Sequence, residues 1–201
     1  MWWNDLAAMA EALSTLAPHT DPHAGVSPRA TLQGAVRIGA GSRICDGAHV
    51  QGPVSIGRDC LIGNNALLRG PLCIGDGTRI GFASELKNAR LGNQVSIGPQ
   101  CFIADSRIDD RVYLGALVRT SNHRLDGATV TIHIDDTVID SQRDKLGAWI
   151  GEGAALGVGV IILPGRIVAP GSQFGPRITV ERNLPPGRYR LLQSLHSQPL
   201  E

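Results

Sequence analysis

From Val26 to Leu86 an aliphatic residue returns at every sixth position without a miss: Val26, Leu32, Ile38, Ile44, Val50, Ile56, Ile62, Leu68, Ile74, Ile80 and Leu86. An α-helix cannot hold that register, because successive steps of six drift around its axis. Six residues instead make one short flat strand and its turn. Three such units close a triangular coil of about eighteen residues, and coils stack at roughly 4.8 Å. The chain is therefore read as all-β, a parallel β-helix in which each aliphatic meets its counterpart one coil away, as Ile38 over Ile56 over Ile74. Glycine often follows at once (Gly39, Gly57, Gly63, Gly75, Gly81), where a Cβ would obstruct the corner. A small residue (Ser42, Ala48, Cys60, Ala66, Thr78) stands four past the aliphatic.

The register slips twice and then lapses. After Leu86 the next aliphatic comes one residue early at Leu91 and continues through Ile97 and Ile103; a second early arrival gives Ile108 and Leu114. Nothing fits from about 120 to 146, and the pattern resumes at Ile150, Leu156 and Ile162, with Val168 as its last position. The gap is polar, holds Asn122, His123, Arg124, Asp126 and residues 140–145, and is too long for a turn. It is read as a loop excursion, the kind of segment that carries function on a rigid scaffold. The expected organisation is an N-terminal helix and linker over 1–25, the β-helix over 26–176 with its excursion at about 120–146, and a C-terminal tail over 177–201. Trp2, Leu6, Met9, Leu13 and Leu16 form one apolar helical stripe before Pro18. That helix either plugs or flanks the open end of the coil or docks a partner.

Composition excludes several classes. Gly is 25 of 201 residues and aromatics only 4 %, as a narrow core of Ile, Val and Leu requires. A formal net charge of +1 with no Lys/Arg run lacks the basic footprint of a nucleic-acid binder. Cys45, Cys60, Cys73 and Cys101 form no C-x-x-C pair and do not recur at the coil spacing, so neither disulfides nor zinc is indicated, and the histidines give no zinc-binding set. No basic n-region and no run of about eighteen apolar residues is present, so a cytoplasmic location without membrane insertion is expected. Asp109-Asp110, Asp135-Asp136 and Asp21 are read as turn residues rather than as catalytic pairs.

Four segments share one resemblance: Leu67-Leu68-Arg69-Gly70; the run from Ile80 through Glu85-Leu86-Lys87-Asn88 to Ala89; Asn122 with Arg124 and Asp126; and Ser141 to Ala148, which contains Arg143-Asp144-Lys145-Leu146-Gly147. Together they resemble the C-terminal left-handed β-helix of bifunctional sugar-1-phosphate nucleotidyltransferase/acetyltransferases, over about residues 25 to 180. Trp3-Asn4-Asp5-Leu6 resembles the helix that links that family's two domains. The Gly-rich phosphate loop of the nucleotidyltransferase domain is not found, so uridylyl transfer by this chain alone is not expected.

The resemblance implies an acyl-coenzyme A-dependent transferase, with acetyl-coenzyme A as co-substrate, a sugar phosphate or nucleotide sugar as acceptor, no metal, and a homotrimer with sites between subunits. It places Arg69 and Lys87 on the acceptor and its phosphate, with Asn122 as a further acceptor contact. Arg143 and Lys145 either contact coenzyme A phosphates or buttress the returning loop. The family's catalytic His has no counterpart in the matching segment, residues 99–105, where Phe102 stands for the usual Tyr; Tyr113 stands for the usual Asn. His123 is the expected replacement base. A second reading is a non-catalytic ligand-binding or regulatory β-helix that partners a separate nucleotidyltransferase through the Trp2/Leu6/Met9 stripe. A purely structural trimer is the third.

Overall fold

The computed structural model describes residues 1–134 and 137–193; the Asp135-Asp136 turn and the end of the expected tail lie outside them. The chain winds a left-handed parallel β-helix of about nine turns. Its short strands stack into three flat walls. The first runs from Thr31–Gln33 and His49–Gln51 through Phe102–Ala104 to Thr179–Val180, and the second from His19–Thr20 and Val36–Ile38 through Arg107–Ile108 to Ile167–Val168. The strands Leu67–Ile74 and Glu85–Leu91 run through the corner between these two walls and join them in one 14-stranded sheet. The third wall is a separate 9-stranded sheet from Gly25–Val26 to Arg188–Tyr189.

The six-residue register maps directly onto the core. Ile38, Ile56 and Ile74 are in register on successive strands and buried, as are Ile44, Ile62 and Ile80 on the third wall. Glycine is required by stacking rather than by twist alone: a Cβ on Gly39 would lie 2.6 Å from the Gly57 carbonyl oxygen of the next coil. The small-residue positions have a second role. Ser42 Oγ donates to the Gly57 carbonyl (2.7 Å) and accepts from Cys60 N–H (2.9 Å), and Ser84 does the same between Gly98 and Cys101. Each hydroxyl thus satisfies two backbone groups at a buried corner. Cys60 and Cys101 fill equivalent slots, their Sγ atoms 3.2 Å from the Gly75 and Gly115 carbonyls, and burial pushes both thiols up from the usual cysteine range.

Both register slips have one cause. Early coils turn from the first to the second wall on two residues, Gly52-Pro53 and Gly70-Pro71, whereas the next coils use one, Asn88 and then Asp105, each in the left-handed region. Pairing accordingly changes from Arg69↔Lys87, eighteen apart, to Leu72↔Ala89, seventeen apart. The excursion leaves at this same corner after Arg119–Thr120 and rejoins at Trp149–Ile150; it contains an antiparallel hairpin, Thr131–Ile134 with Thr137–Asp140.

The ends differ from expectation. The coil starts before residue 26, since His19–Thr20 already pairs with the strand Val36–Ile38. It also continues past 176: Phe174 and Val180 extend the register, Arg188–Tyr189 adds a last strand, and Tyr189 stacks on Phe174 at 4.8 Å. The N-terminal helix, Asn4–Ser14, neither plugs the end nor leaves its stripe free. It lies against the outside of the second wall, where Trp2, Trp3, Leu6, Met9 and Leu13 bury themselves with Val130, Ile132 and Leu146 of the excursion and meet Trp149 and Ile167. Asp5 pairs with Arg107, which stacks on Trp149 and binds Asp109 (2.8 Å), while Trp149 Nε1 donates to Asp109 (2.7 Å). Apolar surface on the outside of the second wall explains the placement, and it covers the stripe expected to dock a nucleotidyltransferase. Among the described residues no helix is long and apolar enough to cross a membrane.

Gly39→Ala should lower stability to denaturant by about 2 kcal/mol or more, because backbone atoms of the next coil cannot yield. Gly153→Ala, with nothing within 4 Å of the new methyl, should cost only the left-handed backbone penalty of about 1 kcal/mol. Equal losses in urea titrations would contradict this account of the stacked glycines.

Candidate functional site

The corner between the first and second walls gathers most of the residues singled out in the sequence. Asn88, Asp105 and Asn122 occupy this corner in three successive coils. Asn88 Nδ2 donates to Asp105 Oδ1 (2.7 Å) and Asn122 Nδ2 to Asp105 Oδ2 (2.5 Å), so a buried carboxylate ties together three levels of the corner. The Asn122 side-chain N–H group expected to contact the acceptor is therefore engaged inside the protein, and its amide oxygen has no protein partner among the described residues.

The excursion leaves from Asn122 and returns beside it. His123 forms an antiparallel bridge with Lys145, Leu146 N–H donates to the Asn122 carbonyl (2.9 Å), and Gly147 N–H donates to that of Asp105 (2.9 Å). The expected base and one expected coenzyme A contact are thus across from each other at the neck. His123 is exposed, and its Nδ1 lies 3.1 Å from the Asp144 carbonyl. A carbonyl can only accept, so Nδ1 carries the proton in the neutral ring and Nε2 keeps its lone pair. Arg143 serves the neck through its backbone, its carbonyl accepting from Val130 N–H (2.8 Å) and its N–H donating to Ser141 Oγ (3.2 Å).

Arg69 and Lys87 are also neighbours, paired on the strands Leu67–Ile74 and Glu85–Leu91 of the first wall. Arg69 is held by Glu85, a partner the sequence reading did not foresee, while Arg69 Nε is buried without one. Lys87 has no carboxylate within ion-pair distance among the described residues. Lys87 pairs with Ala104, whose strand pairs onward with Arg119–Thr120 through Phe102↔Arg119. Lys87 therefore sits two coils, about 10 Å, below the level of the neck, and Arg69 one coil further, about 14 Å below it. The protein brings together two pairs, Arg69 with Lys87 and His123 with Lys145, and sets them apart along one corner.

A groove of about 520 Å³ opens between the excursion and the next coil, lined by Ser121, His123, Arg124, Val130, Leu163 and Arg166 among others. Arg124 is neutralised by Asp126, with Nε 2.9 Å from Oδ1, and this pairing lowers the Asp126 pKa well below the usual carboxylate range. Arg166 was not singled out in the sequence, although a signal existed. It stands four past Ile162, in the inward slot that holds Val160 in the preceding hexapeptide and Ser172 in the following one. Among the described residues no group of three or more His, Cys, Asp or Glu side chains is placed to hold a metal ion.

Comparison with known proteins agrees with this architecture. The signature of the bacterial transferase hexapeptide family (six repeats) matches residues 35–70. The uncharacterized acetyltransferase YaiX of Escherichia coli O6:K15:H31 is 57 % identical over 162 residues, covering 81 % of this chain and 70 % of YaiX. The bifunctional sugar-1-phosphate nucleotidylyltransferase/acetyltransferase of Sulfurisphaera tokodaii is 31 % identical over 111 residues, 55 % of this chain but only 28 % of that protein. The crystal structure of Francisella novicida UDP-N-acetylglucosamine acyltransferase superposes with a TM-score of 0.65 at 15 % identity, covering 88 % of this chain and 66 % of the other; at that identity the likeness is one of fold.

Replacing Asp105 by Ala leaves two half-buried amides without an acceptor and should lower stability by roughly 2 kcal/mol. Asp105→Asn should recover most of that, because a flipped Asn88 amide can again complement it. Urea titrations showing no difference between the two variants would contradict a corner held by this ladder.

Proposed function

The chain belongs to the bacterial hexapeptide-repeat transferase family, and from that premise we propose that it is an acyl-coenzyme A-dependent acetyltransferase whose acceptor is a sugar phosphate or nucleotide sugar. The observation that carries the reading is the placement of His123 beside a groove, with Nδ1 3.1 Å from the Asp144 carbonyl. An imidazole that donates from Nδ1 leaves Nε2 to accept a proton. It would replace the histidine missing from residues 99–105.

The cationic neck fits a phosphate-bearing thioester: Lys145 lies across from His123 with no carboxylate partner among the described residues, and Leu163 and Val130 give the groove apolar walls. The thioester supplies an activated acyl group. His123 Nε2 accepts the proton of the attacking acceptor amine or hydroxyl as the new bond to the acyl carbon forms. The same imidazolium returns that proton to the sulfur as the carbon–sulfur bond breaks, so the histidine ends as it began. Lys87 and Arg69, about 10 and 14 Å along the corner, hold a distal anionic part of an extended acceptor. That span favours a nucleotide sugar over a single sugar phosphate. Arg143 acts as a buttress of the neck, given its two backbone contacts.

The oligomer is a trimer with sites between subunits. Its support is a ridge of exposed apolar side chains along another corner, Phe82, Leu117 and Val158, with Ile161 beside it. A surface of this kind calls for cover by a second copy. Four free thiols and coenzyme A chemistry support a cytoplasmic location.

The non-catalytic reading draws on the missing histidine, and one assay separates the two. With acetyl-coenzyme A and a panel of amino sugars and nucleotide sugars, the wild-type protein should release free thiol. His123→Ala should slow this more than tenfold, and Lys87→Ala should act mainly on the KM of the acceptor. Binding of both substrates with no thiol release would leave a ligand-binding β-helix. Light scattering should give three times the chain mass, and a monomer would remove the interfacial sites.

A further inference from the structure

Arg166 is the anomaly of this fold. The equivalent position in lower coils, at the entry to the second wall, holds Val54, Leu72, Ala89, Ser106 and Ala148, all buried and none charged. In its coil the slot holds an arginine, and the backbone around it is tightly fixed. Gly165 N–H donates to the Gly147 carbonyl (2.6 Å), Trp149 N–H donates to that of Arg166 (3.0 Å), and a Cβ on Gly165 would fall 2.5 Å from the Thr131 carbonyl oxygen of the hairpin. The excursion and the coil therefore clamp the turn that presents this side chain.

Its guanidinium is incompletely satisfied. Arg166 Nε is buried without a hydrogen-bond acceptor, and no carboxylate lies within ion-pair distance among the described residues. Burial and the neighbouring Arg124 guanidinium both push its pKa down from the usual arginine value. A half-buried arginine in an otherwise uncharged inward slot, facing a second arginine and lacking a counter-ion, keeps a buried donor unmet that an anion would complete. Arg124 lines the same groove, and one carboxylate, Asp126, serves that arginine alone.

We propose that this groove is a phosphoryl-binding subsite in which Arg166 supplies the open donors, Arg124, itself held by Asp126, adds a guanidinium at the rim, and His123 faces the body of the bound ligand. A tetrahedral phosphoryl group with three terminal oxygens can take the Arg166 fork and still turn an oxygen toward Arg124, which a planar carboxylate engaged by one guanidinium does not. The subsite is separate from Lys87 and Arg69, two and three coils away. It rests on the transferase reading for the class of ligand alone, and its test needs no turnover.

The test is calorimetry of the full chain at low salt with pyrophosphate as probe. Arg166→Ala should weaken binding at least tenfold, Arg166→Lys should weaken it less, and Arg124→Gln, on the excursion surface, should weaken it severalfold without touching the coil. Arg69→Ala should leave this binding in place. Wild-type affinity in both Arg166→Ala and Arg124→Gln, or loss confined to Arg69→Ala, overturns the subsite. Competition then identifies the source of the phosphoryl group: displacement of pyrophosphate by coenzyme A assigns it to the donor, and displacement by glucose 1-phosphate to the acceptor. Displacement by neither overturns its role as a substrate subsite. Binding retained with no thiol release would sink the transferase reading and leave the subsite standing.

Discussion

Each coil of this protein is bonded to the next through backbone N–H and carbonyl groups in parallel register, and that constraint governs everything else in the molecule. The parallel ladder fixes the distance between coils and leaves no room for a Cβ where glycines stack, as at Gly39 over Gly57. It also fixes the number of residues per wall, so a change in chain length can be absorbed only at a corner. Up to the last coil the corner between the first and second walls absorbs all of it: two residues at Gly70-Pro71, one at Asn88 and at Asp105, and the whole excursion after Thr120.

A flat wall of short strands offers a ligand no concavity. Side chains alternate in and out, and those facing out stand apart on a surface without depth. Depth arises only where the chain rises off the coil, and here the rising segment is doubly anchored. Its base is tied to the Asn88–Asp105–Asn122 ladder, and its outer face packs with the N-terminal helix through Val130, Ile132 and Leu146. The helix thus acts on the site from a distance. By burying the far side of the excursion, it leaves the near side, with His123, Arg124 and Lys145, directed over the corner.

How much of this could be read from the sequence follows from the kind of interaction involved. The coil and the limits of the excursion were legible, since inward aliphatics at a fixed spacing are a one-dimensional signal. The first and last coils were not, because their inward positions carry Thr20, Phe174 and Tyr189 in place of small aliphatics. The helix stripe was legible as a stripe, but its destination was not. An amphipathic face is indifferent to whether it covers a coil end, a partner or a wall, and only Asp5 meeting Arg107, which is more than a hundred residues on and lies over Trp149, decides it. Among the site residues, Arg69 with Lys87 could be paired by counting coils, whereas His123 meets Lys145 through the closure of a loop, which no periodicity encodes.

Arg166 shows where periodicity could have been used further. A repeat establishes what each slot tolerates, so the informative residue is the one that violates its column rather than the one that keeps it. Most columns here are disturbed only in size, as Cys for Ser or Val for Ala, and such exchanges preserve the corner hydrogen bonds or their packing. An arginine in an otherwise uncharged inward slot preserves neither. It is tolerated because the excursion, rising at this level of the corner, opens a groove for the guanidinium, and because a turn clamped at Gly165 aims it there. The same chain segment that breaks the register therefore makes room for the residue that breaks the column. Two departures from a strict repeat at one level of one corner are what turn a stack of coils into a candidate binding site.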